Sequence, residues 1–555
     1  MRTFAVFVAV VGPLAFAACD SPYQDDGPAV DPFAPRVHIT SPELGTFAGD
    51  VDTVEVRGTA SDDTLVTSVE VNGVAATVLP DGTFTATVPV VAGSNLLHAI
   101  AKDAQGNTGK QTRAVAAGPT LTLDRTIPKA ITATVSAQTF AALGRGAGEL
   151  VASSDLTSLV SSSNPVVDVG TENGVPDCNF GQAAVSLIDV GSANITLTPQ
   201  NGGLMLDATL DNVRTDMHLV WALLCAAGSR DVSITSSPIH IRGLLAANVD
   251  FFGKIRFSLA NPTVELANFN LDVGGGVPQE IVNLLKLNER IGPLLGTAVE
   301  KFVAPKLDEA LAGLSDTNTV DLLDKKLDIT LLPVKVKFDA AGMQIELESE
   351  IRAQGDSGEF VYVPNAQPVV DATGFQLAVA DDAVNQMLTS FWSAKGLDVP
   401  FDLTTGSYGE IGQLYDRVEL SAKLPPYLDA SSGSLKLTIG DLVATFKDGD
   451  AIATQVIVNT QLDVNVTADP TTGALRFDVG SPTAFVDIVD ENIDGANALS
   501  NAQFEAIASF ALSRAVAFAS GAVGAVPLPA VGGVALANVS ISEQTGFLVI
   551  DGELR

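Results

Sequence analysis

Cysteine and histidine, the side chains best suited to nucleophilic, redox or metal chemistry, are scarce here, at 3 and 4 among 555 residues. The histidines fall in strand-like segments without the spacing of metal ligands, and they are His38, His98, His218 and His240. The chain contains no GxSxG elbow, HExxH helix, phosphate-binding loop or CxxC pair. We therefore expect no catalytic residues, no bound metal and no cofactor, and we do not expect an enzyme.

The best candidate for binding a cation is the acidic run DIVDENIDG from Asp487 to Gly495. This density of carboxylates suits calcium, but the run lacks the regular ligand alternation and the terminal Glu of an EF-hand loop. Asp62, Asp63 and Asp103 offer a second set, although aspartates in such positions more often cap turns. We interpret both sets as ordinary carboxylates.

The first 18 residues are typical of a signal peptide, with Arg2, an apolar run and then small residues before a cysteine. The sequence FAAC ending at Cys19 resembles a bacterial lipobox, although Phe16 replaces its usual leucine. The resemblance implies that Cys19 is acylated and anchors the chain to a membrane of the bacterial cell envelope, facing the periplasm or the exterior. An ordinary secretory signal with a chance cysteine is the alternative. Residues 19–35, rich in Pro, Asp and Gly, are predicted to form a flexible tether.

The other two cysteines are expected to form one disulfide. An exported chain enters an oxidising compartment, which favours a bond between Cys178 and Cys225. A disulfide that closes a loop of roughly 40 to 50 residues stabilises the fold by roughly 3 to 4 kcal/mol. The alternative is a simple core thiol, since Cys225 ends an apolar run that begins at Trp221.

Length and charge set broad limits on the molecule. The length predicts roughly two to four domains. The formal charge of −34 and the pI near 4.2 argue against nucleic-acid partners and against attraction to anionic lipid surfaces. A soluble region held near a membrane by its anchor fits this composition. The oligomeric state is left open.

Residues 36–117 are predicted to form a small all-β sandwich, because short alternating strands recur about every dozen residues. Turn sequences such as PDG at 80–82 separate them. The stretch ITSP from Ile39, the phrase VEVNG from Val69 and the ending AKDAQGN from Ala101 resemble bacterial immunoglobulin-like domains. The resemblance implies a fold and assigns no function.

The longest amphipathic helix that the sequence predicts spans residues 278–314. Apolar residues recur along it at steps of three and four, and charged residues occupy the other side. Uninterrupted, it would be roughly 55 Å long, and Pro293 and Pro305 are each expected to kink it. The Ala- and Gly-rich stretch 501–526 carries Arg514 at its centre, which disfavours a transmembrane helix. We expect this stretch to be buried against a sheet.

From about residue 128 onward one pattern occurs twice. Each pass has an alternating strand, a helix, long antiparallel strands, a second helix and a final hairpin. The first helix is predicted over about 137–160, and Gly342 and Gly546 are assigned matching places in the two hairpins. We therefore predict two similar halves, 128–325 and 326–555.

Four stretches carry a family resemblance, namely TVSA at 134–137, the helix at 278–314, FQLAVADDAV from Phe375, and the ending from Val526 to Leu548. Through them the region 128–555 is similar to the family of bactericidal/permeability-increasing protein, lipopolysaccharide-binding protein and cholesteryl ester transfer protein. The resemblance implies an α+β fold of two end-to-end barrels of twisted antiparallel sheet wrapped on long helices, preceded here by the N-terminal all-β immunoglobulin-like sandwich. It also implies a lipid pocket in one or both barrels, and a single disulfide in the first, where Cys178 and Cys225 fall.

One departure from that family concerns charge. Relatives that capture lipopolysaccharide use a basic tip on the first barrel. Here no basic cluster appears, and acids outnumber bases in the corresponding region: Asp168, Glu172, Asp177, Asp207, Asp211 and Asp216. A less acidic lipid, either a phospholipid or another apolar lipid with acyl chains, therefore fits better than endotoxin.

A lipid carrier needs an enclosed apolar slot, because exposing one methylene to water costs about 0.8 kcal/mol and a 14-methylene chain roughly 11 kcal/mol. The predicted lining residues lie on the first and central helices, and they are Phe140, Leu143, Leu150, Leu284, Ile291, Leu295, Val299 and Phe302. We predict an anchored lipid-binding or lipid-transfer protein of the bacterial envelope. The alternative is a non-catalytic structural or adhesive surface lipoprotein whose barrels are fully packed.

Overall fold

The structure is a computed structural model of the chain. It describes residues 33–161, 164–170, 179–314, 317–322, 325–353, 358–368, 374–405, 408, 411–468, 475–480, 482–491, 503, 506–514 and 536–554. Over these residues the molecule is mostly antiparallel sheet, with a smaller share of helix. The strands form six sheets, three of which have seven strands each.

The N-terminal module has nine strands: β1 Arg36–Ser41, β2 Thr46–Phe47, β3 Thr53–Ser61, β4 Val66–Val71, β5 Val74–Ala75, β6 Thr77–Val78, β7 Thr83–Pro89, β8 Gly93–Asp103 and β9 Thr108–Ala117. They form two sheets, in the orders β1-β3-β7-β6 and β2-β9-β8-β4-β5. Alternate residues of both sheets, among them Val56, Val69 and Phe84, meet in one core. The predicted immunoglobulin-like sandwich is therefore confirmed.

The next part of the chain contains β10 Thr120–Thr122, β11 Ile127–Ser136, α1 Ala137–Ser153, α2 Thr157–Ser161, β12 Val167–Gly170, β13 Phe180–Gln200, β14 Gly203–Leu223, β15 Ala226–Ser236, β16 Ile239–Val249, β17 Ile255–Leu266, β18 Asn270–Asp272, α3 Gln279–Leu285, α4 Leu287–Leu311, β19 Thr317–Leu322, β20 Lys325–Asp339 and β21 Gly342–Ala353. The strands β13 and β14, 21 residues each, form a long hairpin. Strand β14 pairs with β16 along its first residues and with β15 along its last, so this sheet divides into two branches.

The rest of the chain contains β22 Glu359–Val361, β23 Phe375–Ala380, α5 Asp381–Ser393, β24 Val399–Asp402, α6 Ile411–Leu414, β25 Arg417–Ala422, β26 Tyr427–Asp429, β27 Leu435–Asp448, β28 Ala451–Ala468, β29 Leu475–Val479, β30 Thr483–Glu491, β31 Leu536–Gln544 and β32 Phe547–Leu554. Here β27 and β28 form the long hairpin. Strand β28 pairs with β30 along its first part and with β29 along its last, so this sheet divides in the same way.

A seven-stranded sheet joins the two halves, in the order β19-β20-β21-β11-β23-β32-β31. At its centre β11 and β23 pair antiparallel, with Ala133 opposite Leu377. Each is flanked by a hairpin, β20–β21 beside β11 and β31–β32 beside β23. The sheet is thus approximately two-fold symmetric about its central pair, which confirms the duplication. In this arrangement the hairpin β20–β21 belongs with the first half, because β21 pairs with β11.

The joints between strand and helix also repeat. The Ala137 N–H donates to Ala341 O at 2.8 Å, and the Asp381 N–H donates to Gly546 O at 3.1 Å. In both halves, therefore, the hairpin turn accepts a hydrogen bond from the first helical residue. The counterpart of Gly546 is Ala341 and not Gly342, so the predicted match of the two glycines is wrong by one residue.

Both predicted long helices are interrupted. Helix α1 is followed by the separate short helix α2 instead of continuing. The helix predicted over 278–314 divides at Lys286, whose left-handed backbone (φ 47°, ψ 46°) separates α3 from α4. Helix α4 then includes both Pro293 and Pro305. The break thus occurs at a residue with good helix propensity, between two buried leucines, Leu285 and Leu287.

The closed barrels that the resemblance implies are not formed by the described residues. Each of the larger sheets ends in open edge strands there. The physical reason is the branching of β14 and β28, which leads the strands apart instead of returning them to the first strand. None of the described helices is long and apolar enough to cross a membrane.

Of the predicted 501–526 helix, residues 503 and 506–514 are described, and one side of 506–514 packs into the core of the second half. Ile507 and Ala511 are fully buried. The Arg514 guanidinium lies 4.8, 5.9 and 5.1 Å from three aromatic ring centroids, those of Phe401, Tyr408 and Phe510. Cation–π contact therefore stabilises this charge inside the half.

Candidate functional site

Helix α1 lies unusually close to β13. Its first turn is capped by Ser136, whose Oγ accepts a hydrogen bond from the Thr139 N–H at 3.3 Å. A Cβ placed on Gly144 would lie 2.7 Å from Ile195 O. One turn later, a Cβ placed on Gly148 would lie 2.6 Å from a second carbonyl oxygen of β13. The absent side chains of these two glycines therefore allow the helix to rest directly on the strand backbone.

The three slot candidates on α1 differ in burial. Phe140 is 2 % exposed, and its ring centroid lies 6.4 Å from that of Phe338 on β20. Leu143 is partly buried against the same core. Leu150 is 49 % exposed. Only Phe140 and Leu143 thus face the apolar layer beneath the helix.

Helix α4 covers the opposite flank of the sheet, against β17. Its acidic side chains hold the backbone of that edge strand. Glu300 Oε1 accepts a hydrogen bond from the Leu259 N–H at 3.1 Å, and Asp308 Oδ1 accepts one from the Phe257 N–H at 2.8 Å. The charged side of α4 therefore satisfies an open sheet edge as well as facing solvent.

The remaining five candidates lie on α3 and α4. Ile291, Leu295 and Val299 are buried at 3 %, 1 % and 0 % exposure. Phe302 is partly buried, and Leu284 is 38 % exposed. The structure thus brings most of α4's apolar stripe into the interior and leaves Leu284 at the margin.

Helices α1 and α4 contact each other, and their buried candidates share one continuous apolar core with both halves. The members brought into this core are Phe140, Ile291, Leu295 and Val299, with Leu143 and Phe302 packed against it. Leu150 and Leu284 are largely outside it. The buried members are as inaccessible as ordinary core residues, and their role as lipid contacts stays a prediction.

A mostly apolar cavity of about 360 Å³ lies elsewhere, where the sandwich meets the second half. Its wall is made by four separate parts of the chain, with the residues Phe47, Gly49, Ala116, Ala117, Gly118, Thr120, Glu359, Val361 and Trp392. Its volume is in the lower part of the range of small-ligand pockets, about 300–1,000 Å³. Glu359 adds one carboxylate, so the cavity suits an apolar group that has a polar end.

Two hydrogen bonds position the polar members of this wall. Strands β10 and β22 pair with Thr120 opposite Val361, and Thr120 Oγ1 donates to Glu359 Oε2 at 2.8 Å. Trp392, in the last turn of α5, donates from Nε1 to Ala422 O at 2.7 Å. Because the single polar atom of the indole is satisfied, its apolar ring is left to line the cavity.

The sandwich is fixed to the second half by carboxylates that accept its backbone N–H groups. Asp441, in β27, accepts from the Gly45 N–H at 3.0 Å and from the Ala114 N–H at 2.9 Å. Asp487, in β30, accepts from the Thr112 N–H at 3.0 Å. These bonds satisfy the N–H groups of Gly45 and of two residues of β9, and they hold the module that forms one side of the cavity.

At this contact, burial favours the protonated form of the two carboxyl groups, those of Asp441 and Asp487. Burial raises the pKa of Asp487 to about 6, although the Thr112 N–H and the Arg113 guanidinium oppose the shift. Burial also raises the pKa of Asp441. Arg113 is 5 % exposed, and its burial lowers its own pKa. The contact therefore contains two carboxylates beside one buried cation.

A second buried pair of carboxylates occupies the first turn of α5. Asp381 accepts hydrogen bonds from Asn365 Nδ2 at 2.6 Å and from the Ala430 N–H at 3.0 Å. Asp382 accepts one from the Val363 N–H at 3.2 Å. Burial, together with the charge of Asp381, raises the pKa of Asp382 to about 7. The pair thus ties the segments that contain Asn365 and Ala430 to α5. The raised pKa of Asp382 means that its carboxyl group is partly protonated near neutral pH.

Other predicted residues have simpler outcomes. Cys19 and Cys178 lie outside the described residues, so the lipidation and the disulfide of Cys178 with Cys225 stay predictions. Asp103 accepts hydrogen bonds from the backbone and side chain of Asn107, as expected of a carboxylate that caps a turn. Within the described part of the chain, no three His, Cys, Asp or Glu side chains are placed to hold a metal ion.

Sequence reasoning missed the cavity and the carboxylates around it. The cavity wall combines short stretches that lie far apart in the chain and have no shared pattern. Asp487 belongs to the acidic run, but β30 directs its carboxylate to the Thr112 N–H of the sandwich. The sequence signal for Asp487 was that this acid interrupts the apolar stretch from Ala484 to Val489.

Comparisons with known proteins give a family-model match over the first module. A family model described as "Glucodextranase, domain B" matches residues 35–118. A crystal structure of lipopolysaccharide binding protein is similar over 77 % of this chain and 99 % of that chain, at 15 % identity and a TM-score of 0.39. The structure of P47 of Clostridium botulinum E1 is similar over 78 % and 100 %, at 10 % identity and a TM-score of 0.26. Both scores are too low to carry an argument about this chain. No curated protein matches the sequence.

Proposed function

We propose that this chain is a membrane-anchored lipid-binding or lipid-transfer protein of the bacterial cell envelope, and that it is not an enzyme. Its ligand is a phospholipid or another apolar lipid with acyl chains. Its anchor is the acylated Cys19, in a signal sequence of the lipoprotein type. In each half, the long sheet and its helices form a barrel-like wall. The repeated architecture on either side of the central sheet supports this proposal.

The observation that carries the proposal is the apolar cavity at the junction, because a lipid carrier needs space that its own side chains leave open. Each acyl methylene that is fully removed from water gains about 0.8 kcal/mol. The polar end of the ligand lies near Glu359, at the wall of the cavity. The predicted slot between α1 and α4 is the second location, and an acyl chain enters it only if a helix moves.

One observation favours the alternative of a non-catalytic structural or adhesive surface lipoprotein. Leu295 and Val299 are buried as completely as any core residue, at 1 % and 0 % exposure. If both halves are packed in this way throughout, the helices serve only to support the sheets. The two functions therefore differ in whether the purified chain contains lipid.

Native mass spectrometry of the chain without its signal and anchor cysteine, followed by organic extraction, tests the proposal. We expect near-stoichiometric bound lipid, or its uptake from phosphatidylcholine vesicles. A clean mass of the chain alone and no uptake would contradict the proposal and support the structural alternative.

Two variants locate the lipid. Phe47→Asp introduces a charge into the cavity at a side chain that is 39 % exposed, so the fold tolerates it. We expect it to lose lipid, whereas the matched control Leu65→Asp, 68 % exposed on the same sandwich, retains it. Loss of lipid in Phe302→Asp, with retention in Phe47→Asp, assigns the lipid to the slot instead.

A further inference from the structure

An exposed aromatic pair forms the tip of the β16–β17 hairpin. Phe251 and Phe252 are 97 % and 78 % exposed. Their rings meet edge to face, with centroids 5.6 Å apart. Leu332 on β20, whose Cδ2 is 3.7 Å from a Cβ placed on Gly253, extends the apolar surface beside the tip. Large apolar groups exposed together mark an interaction surface.

The tip is a built turn that displays the two rings in a fixed arrangement. Asp250 Oδ1 accepts hydrogen bonds from the Phe252 N–H at 2.8 Å and the Lys254 N–H at 2.9 Å. Arg256 Nε donates to Asp250 Oδ2 at 3.2 Å, and Arg256 Nη1 donates to Asp308 of α4 at 3.3 Å. The base of the hairpin is therefore tied to α4, and the rings project from a rigid support.

We propose that this tip docks the molecule onto the surface of a zwitterionic phospholipid bilayer, with both phenyl rings inserted below the headgroups. The docking goes beyond lipid binding, and it requires neither the cavity nor the slot. Aromatic rings with a neighbouring cation, here Lys254, suit the boundary between headgroups and acyl chains. The formal charge of −34 selects against anionic bilayers.

Area and shape favour a bilayer over a protein partner. Two phenyl rings expose about 300 Å² together. A stable protein interface buries about 800 Å² on each partner, and it normally surrounds its aromatic anchors with further contact. The tip is a protruding turn with charged neighbours. It therefore offers little further contact area around the two rings for a protein partner. A fluid bilayer, in contrast, closes around two inserted side chains without a complementary surface.

Cosedimentation with phosphatidylcholine vesicles tests the docking, using the chain without residues 1–19. The test variant is Phe251→Ser with Phe252→Ser. The matched control is Leu224→Ser, which removes an 82 % exposed leucine immediately after β14. Both changes are at exposed side chains, and thermal unfolding checks that the fold is retained.

We expect the wild-type chain and Leu224→Ser to bind vesicles equally, and the double variant to bind at least about tenfold more weakly. In Phe251→Trp, brominated phosphatidylcholine should quench the new indole. Unchanged binding of the double variant, equal loss in Leu224→Ser, or no binding by the wild type overturns the proposal. Concentration-dependent self-association that the double variant abolishes, without vesicle binding, assigns the tip to a second copy instead.

The two proposals fail separately. If the double variant keeps its bound lipid in native mass spectrometry but loses vesicle binding, the tip docks and a different site holds lipid. If the wild type docks but never contains lipid, the docking stands and the carrier function is wrong.

Discussion

The glycines of α1 allow a direct test of how this helix meets the sheet. A Cβ on Gly148 would lie 2.6 Å from Ala193 O, whereas nothing lies within 4 Å of a Cβ on Gly146. Alanine at either position gains the same helix propensity, up to about 1 kcal/mol. Only Gly148→Ala forces the helix away from a backbone oxygen, and overpacking of this kind costs about 1–3 kcal/mol. The two variants have the same composition, so their free energies of unfolding should differ by about 1–3 kcal/mol.

Urea unfolding gives these free energies, and hydrogen–deuterium exchange of peptides from 137–153 assigns the change to α1. We expect Gly146→Ala to be at least as stable as the wild type and Gly148→Ala to exchange faster in α1 and β13. Gly144→Ala should repeat the destabilisation, since its Cβ would lie 2.7 Å from Ile195 O. Equal stability of the Gly146 and Gly148 variants would refute the close contact of α1 with β13.

Three further changes test the buried polar groups. Because burial raises the folded-state pKa of Asp382 to about 7, above its ordinary 3.8, its stabilising effect is complete below about pH 4 and is lost as pH rises through 7. Asp382→Asn should flatten that decline in thermal midpoint, and an unchanged decline would count against the burial. Asp441→Ala removes the acceptor of two sandwich N–H groups, each bond worth about 1.5–3 kcal/mol. Limited proteolysis should then cut residues 118–126 faster, and an unchanged rate would contradict this anchoring. Arg514→Met should lower stability by up to about 2 kcal/mol in thermal unfolding, with partial rescue by Arg514→Lys; equal stability of wild type and Arg514→Met would show that the aromatic contacts contribute little.

The sequence patterns that predicted structure correctly are those with a period. Alternation predicted the strands of the sandwich, and repetition predicted the two halves that meet at Ala133 and Leu377. The three- and four-residue steps of α4 predicted that Ile291 and Val299 are inside. Each of these features depends on many residues that follow the same period, so one residue that departs from the period does not obscure the pattern.

The features that sequence did not predict depend on single residues in tertiary contact. Lys286 adopts a left-handed conformation that its side chain does not favour. Asp441 and Asp487 act as acceptors only because β9 lies beside them, more than three hundred residues earlier in the chain. The cavity wall likewise exists only once the sandwich is docked. A periodic pattern contains no information about tertiary contacts between residues that are far apart in the chain.

The contacts of the helices decide which one an acyl chain could displace. In the second half, Gln386 Oε1 accepts from the Ile351 N–H at 2.9 Å and Ser390 Oγ accepts from the Ala353 N–H at 2.8 Å. Separating α5 from β21 would leave these buried groups unsatisfied, at about 1–3 kcal/mol each. Helix α4 is held by Asp308 and Glu300 in the same manner.

Helix α1, in contrast, rests on β13 through glycines and apolar side chains in the contacts described above, and an acyl chain replaces apolar contact with apolar contact. If lipid enters the predicted slot, α1 is therefore the helix that moves. Hydrogen–deuterium exchange with and without phosphatidylcholine should change in 137–153 and remain constant in 381–393. The reverse pattern would show that the polar contacts of α5 yield more easily than the close packing of α1.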